Sequence, residues 1–165
     1  AVRHLLQLGH RRISLITGPV SVRAGRERLN GVEDAYKEVG LKYPRELLRS
    51  GSYDSDFAEK AVFDLFSSDL KPTAILGGGV QSTEGVLKGI RSLGLYAGRE
   101  VAFIACDEVS FLELSSPPIS VVSRDPYSFG RVSAEVLLDA LEGHGPQIRV
   151  LSTHYIARAT STPPM

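Results

Sequence analysis

Ile13-Ser14-Leu15-Ile16-Thr17-Gly18-Pro19, followed shortly by Arg26-Glu27-Arg28-Leu29-Asn30-Gly31, is the stretch whose reading decides the fold. A strand-sized apolar run ends at a Gly-Pro turn. The spacing then becomes helical, with Leu29, Val32, Tyr36 and Val39 on one side and Gly40 as a C-terminal stop. A strand turning directly into a helix over residues 25–39 is the first half of a β-α-β unit. In open sheets built from such units, ligands bind beyond the carboxyl ends of the strands. Arg26 and Arg28 are delivered to that end, where planar guanidinium groups suit an oxygen-rich molecule. The other reading of both is as solvated charges on a surface helix, where they contribute little.

The pattern repeats outward from this unit. Upstream, Val2, Leu5, Leu6 and Leu8 share a face of a short helix that Gly9 can end. Downstream, a strand is expected over residues 47–50, and Asp54 or Ser55 can cap a helix striped by Phe57, Ala58, Ala61, Val62 and Leu65. Thr73-Ala74-Ile75-Leu76 reads as a short buried strand running through Gly77-Gly78-Gly79 into a helix with Val86, Leu87, Ile90 and Leu93. Residues 101–106 form the next strand, ending at Asp107-Glu108. After Ser115-Ser116-Pro117-Pro118 come a strand over 119–123, a helix over 126–141 and an extended piece over 149–157. This alternation predicts an α/β protein: an open, doubly wound parallel sheet with right-handed crossovers and helices on both faces.

With 165 residues and 42% hydrophobic content, the chain can bury one core and reads as a single domain. Its 19 Lys and Arg balance 19 Asp and Glu without any basic block, so it has no electrostatic footprint for DNA or anionic lipid. Apolar runs are strand-sized, and the first residues lack the regions of a signal peptide. A soluble, cytoplasmic protein is expected, in keeping with one cysteine, Cys106, that cannot form an internal disulfide.

Enzyme signatures are missing: no dinucleotide fingerprint, no phosphate loop with its lysine, no nucleophile elbow. The residues therefore suggest no catalytic role and no cofactor. His4, His10, His144 and His154 are scattered without metal-ligand spacing, so no metal site is expected. Gly77-Gly78-Gly79 sits at a strand-to-helix junction where backbone amides could cradle a phosphate, but it lacks the spacing and lysine of a phosphate loop and reads as a tight turn, and Cys106 reads as a small core residue. Asp107, at the end of a strand, either accepts hydrogen bonds from ligand hydroxyls or caps the next turn. Tyr53, just before a helix, either offers a flat face to a ring or packs half-buried.

Several segments together are similar to one family. His4-Leu5-Leu6-x-Leu8-Gly9-His10-Arg11-Arg12-Ile13, Arg28-Leu29-x-Gly31, Pro72-Thr73-Ala74-Ile75, Ser116-Pro117-Pro118-Ile119-Ser120-Val121-Val122 and Ile156-Ala157-Arg158-x-x-Ser161-Thr162 resemble the effector-binding core of LacI-family (lactose-repressor-like) transcription regulators. The resemblance implies a periplasmic-binding-protein-like lobe, the C-terminal of two, with a small-molecule effector, a sugar or a nucleobase-like compound, held between lobes. It also implies a homodimer that meets operator DNA only through a helix-turn-helix headpiece, absent from this chain along with most of the first lobe. Carried over by position, Arg28 matches an arginine gripping effector oxygens, Tyr53 a stacking aromatic and Asp107 a hydroxyl-accepting acid. Arg124 falls at a crossover position that contributes a polar contact, with Arg26 as a neighbour. The helix within 126–142 would complete the missing lobe. Departures accompany these matches: Gly79-Val80 stands where the family places Asn-Asp, Gly98 where proline is usual, and Cys106 where a larger residue is common. A solute-binding protein of a transport system has the same architecture and is the alternative reading.

Overall fold

The computed structural model describes residues 1–165. In chain order the elements are α1 (Val2–Gln7), β1 (Ile13–Thr17), α2 (Arg23–Glu38), a 3-10 turn (Arg45–Leu47), β2 (Leu48–Ser50), α3 (Ser55–Phe66), β3 (Ala74–Gly77) and α4 (Val80–Ser92). They continue with β4 (Ala102–Cys106), α5 (Ser110–Leu114), β5 (Ser120–Ser123), α6 (Pro126–Leu141) and β6 (His154–Ile156). The strands form one sheet of order β2-β1-β3-β4-β5-β6, parallel through β5. β1, β3 and β4 are buried along their whole length, as expected of central strands covered on both faces by helices. No helix is long and apolar enough to cross a membrane.

Two departures from the expected elements have physical causes. The extended piece expected over 149–157 shortens to β6, which runs antiparallel to β5. The chain leaves β5 into α6 and returns from the same end of the sheet without crossing over, and that reverses its direction. Leu47 belongs to the 3-10 turn, so β2 is only three residues long and pairs only with Leu15 to Thr17. On that side the start of β1 has no strand neighbour. The hydroxyls of Tyr36 and Tyr43 take its place, accepting from the Ile13 and Leu15 amides at 3.4 and 3.3 Å.

The helices pack as pairs. α3 and α4 lie so close that a methyl group at Gly85 would sit 2.1 Å from the Ser55 carbonyl oxygen, so glycine sets their separation. Asp54 caps α3 by accepting from the Phe57 amide at 2.7 Å. At the amino end of the sheet, buried Thr160 joins two strands: its hydroxyl donates to the Phe103 carbonyl (2.7 Å) and accepts from the Ser120 amide (2.8 Å). Nearby, buried His10 contacts the Thr162 carbonyl through Nε2 at 2.7 Å, which fixes the proton on that nitrogen, and the Thr73 hydroxyl through Nδ1 at 2.9 Å. Burial lowers the His10 pKa from its ordinary value. α6 joins neither layer and has no buried residue.

Candidate functional site

The strand order makes β1 a switch point, because the chain runs from β1 to β2 on one side and then to β3 on the other. Crossover helices on opposite faces leave a crevice at the carboxyl ends of β1 and β3. A concavity of about 450 Å³ lies there, lined by Ala24 and Arg28 of α2, Tyr53, residues 78–82, Asp107 and Arg124. Four of the five residues singled out from the sequence meet around it. The fifth, Arg26, is exposed, donates to the Ser21 carbonyl at 3.3 Å and is not part of the lining.

Each lining side chain is held by its local structure. Arg28, half-buried one turn along α2, donates to the Ala24 carbonyl at 3.3 Å. It lies beside the Cys106 thiol, whose pKa burial pushes up while the Arg28 charge acts in the opposite sense. Cys106 is thus a buried core residue with a cationic neighbour. The Tyr53 ring rests on Gly18, where a methyl group would come within 2.1 Å of it, and 39% of the residue stays exposed. Asp107 has φ +71, a left-handed conformation that a short polar side chain tolerates. Its amide donates to the Val122 carbonyl at 3.0 Å, and its carboxylate forms an ion pair with Arg124, 2.9 Å from Nε. The Arg124 guanidinium also stands 4.9 Å over the Phe129 ring. Neighbouring Glu108 is tied separately to Arg158 at 2.8 Å.

Sequence reading missed the Asp107–Arg124 pair and the contribution of Gln81 and Ser82. The pair follows from strand adjacency, since Cys106 lies opposite Val122 on neighbouring β5, so the strand ends carrying Asp107 and Arg124 lie side by side. Gln81 and Ser82 follow from α4 beginning immediately after Gly79. Asp139, Glu142 and His144 come together at the end of α6, a grouping that their sequence spacing did not suggest. Asp139 is there engaged by Gln147 Nε2 at 2.9 Å, and Glu142 and His144 are exposed.

A doubly wound sheet with a polar concavity at its switch point is the arrangement in which α/β lobes commonly hold ligands. The chain belongs to the family of periplasmic binding protein-like domains, a model of which matches residues 2–161, and its relatives are LacI-type transcriptional regulators. The transcriptional regulator CelR of Thermobifida fusca is 29% identical over 160 residues, which make up 96% of this chain and 47% of that protein. The transcriptional repressor PurR of Klebsiella pneumoniae is 26% identical over 154 residues, 93% of this chain and 45% of the repressor. Among solved structures, a CelR–cellobiose complex superposes with a TM-score of 0.87 at 29% identity, over 97% of this chain and 50% of that one. A dimeric Lac repressor has the same fold, with a TM-score of 0.84 at 24% identity over 99% of this chain and 60% of that one. The chain spans about half the length of the curated relatives it matches.

Proposed function

We propose that this chain is the effector-binding and dimerising part of a LacI-type transcription regulator, and that the switch-point concavity is one wall of its effector cleft. The observation that carries this reading is the convergence of Arg28, Tyr53, Asp107 and Arg124, from four separate segments, on one concavity. A bidentate cation, a flat aromatic face and a carboxylate are the groups that recognise a hydroxylated ring. The relatives are regulators, which favours this reading over a transport protein and supports a cytoplasmic setting and a binding role for the parent protein. The second wall would come from a first lobe that α6 completes. Its Leu137 and Leu141, 61% and 76% exposed, support that placement. Ser123-Arg124-Asp125 is then the hinge through which effector closure reaches the headpieces of a dimer, with a coupling of about 1–3 kcal/mol.

The test is calorimetry on the full-length protein, after a thermal-shift screen of sugars and nucleobases that starts with cellobiose, the ligand in the CelR complex. Arg28→Ala should weaken binding of the ligand so found by about 1.5–3 kcal/mol, through loss of charge-assisted hydrogen bonds. Unchanged affinity in that variant would remove Arg28 from the cleft.

A further inference from the structure

We propose that Arg158 is a positioning residue of the effector wall: through Glu108 it holds the turn after β4 in the conformation that presents the Asp107 carboxylate to the cleft. The inference rests on the effector-binding reading above and adds what keeps that wall in shape before a ligand arrives. Asp107 needs such support, because its left-handed backbone (φ +71) is disfavoured for a residue with a Cβ and persists only where the surroundings fix it. On the amino side of the turn, the Asp107 amide donates to the Val122 carbonyl at 3.0 Å. On the carboxyl side, both oxygens of Glu108 accept from the Arg158 guanidinium, at 3.2 Å from Nη1 and 2.8 Å from Nη2. The next helix gives no such help, since α5 starts after Val109 without a capping side chain. Neither Glu108 nor Arg158 lines the concavity, so both act on it through Asp107.

Arg158 is itself anchored away from the cleft. Its Nη1 also donates to the Ile119 carbonyl at 2.8 Å, and its amide donates to the Ser120 hydroxyl at 2.9 Å. Ser120 is in turn fixed by Thr160, which accepts from its amide, and by Ser161, 2.9 Å from its hydroxyl. The Arg158 side chain therefore runs from the residues that open β5 to the residue that follows Asp107 beyond the end of β4. The two ion pairs at this strand end differ in kind. Asp107 meets an arginine whose side chain is 47% exposed, whereas the side chain of Arg158 is 14% exposed and its guanidinium holds two carboxylate oxygens and a carbonyl. An exposed pair yields readily to a competing ligand hydroxyl, and a forked, largely buried one does not. Arg124 is thus the exchangeable partner of the strand end and Arg158 the fixed one. A recognition group keeps its geometry when its support is locked from behind in this way.

Amide hydrogen exchange in the full-length protein, followed by NMR, tests the support without any ligand. In Glu108→Gln, which keeps the side-chain shape and removes its charge, the Asp107 amide should exchange about 10–100-fold faster while amides within β1 and β3 keep their rates. Arg158→Lys, which retains the charge without the fork, should accelerate it less, and Lys60→Gln on the exposed side of α3 should leave it unchanged. Calorimetry then reads the consequence, with cellobiose or whichever sugar or nucleobase the screen returns in its place. Glu108→Gln and Asp107→Asn should each weaken binding, and the double variant should bind no worse than Asp107→Asn alone, because Glu108 acts only through Asp107. An unchanged Asp107 amide, or one accelerated no more than β1 and β3, overturns the proposal, as do additive losses in the double variant. If the native protein binds no compound of the screen, the effector reading falls, and acceleration confined to Asp107 still assigns Arg158 to the turn.

Discussion

Helices α2 and α6 are both sixteen residues long and both amphipathic, yet five residues of α2 are buried and none of α6. The difference teaches that an apolar stripe records the existence of a partner surface and says nothing of where that surface is. α2 finds its partner in α1 and β1, within this chain. The stripe of α6, with Phe129, Val132, Val136, Leu137, Ala140 and Leu141, faces no layer of this sheet. The residues that return from it are equally uncovered, Ile148 and Val150 being 74% and 81% exposed.

Paired substitutions test the contrast. Tyr36→Ala removes a fully buried ring and strands the Arg11 carbonyl, so it should destabilise this chain by about 3–5 kcal/mol in urea unfolding. Leu137→Ala on α6 should change it by no more than about 0.5 kcal/mol. A large loss at Leu137 would mean that α6 has a partner in solution, such as a second copy. A glycine pair gives a smaller effect of opposite signs. Gly85→Ala drives a methyl group into the Ser55 carbonyl and should cost about 1–3 kcal/mol. Gly130→Ala, in the middle of α6 where the added carbon meets nothing, should stabilise by about 0.4–1 kcal/mol.

The smallest effect is a pH dependence located in the sheet body. Because burial lowers the folded-state pKa of His10, its neutral form contributes stability that is fully present above the ordinary imidazole value. That stability is lost as pH falls below the ordinary value and on through the depressed one, since the unfolded chain binds the proton first. Unfolding free energies measured from about pH 7.5 down to about pH 5 should decline more steeply in the native protein than in His10→Gln. Parallel profiles would show that His10 titrates alike in both states.

The regular part of the fold was legible because periodicity carries it. The apolar runs of β1, β3 and β4 and the stripes of α2, α3 and α4 fall where the residues indicated, and Asp54 caps α3 as its position suggested. Short elements escaped. α5 has five residues and a single buried one, Leu112, too little to show a period, and β6 is three residues of alternating exposure. Val39 completes the helical spacing of α2 but lies just past its end and is half exposed. At the site, Arg28, Tyr53, Asp107 and Arg124 could be nominated by type and resemblance, while their grouping depends on strand order. What reading the sequence could not reach was the pairing of Asp107 with Arg124.

The Thr160 junction bears on how the molecule is made. Its bonds span 57 residues to Phe103 and 40 to Ser120, and the His10 contact with Thr162 spans 152. Closing loops of that length is entropically costly, and the cost is recovered only when the last contact forms. A nascent chain paused on the ribosome after α6 has a nearly complete set of strands, but the Ser120 amide and the Nε2 of His10 still lack their partners. The sheet is therefore finished after translation has passed residue 162, and until then its amino-end edge is a surface for chaperones to shield.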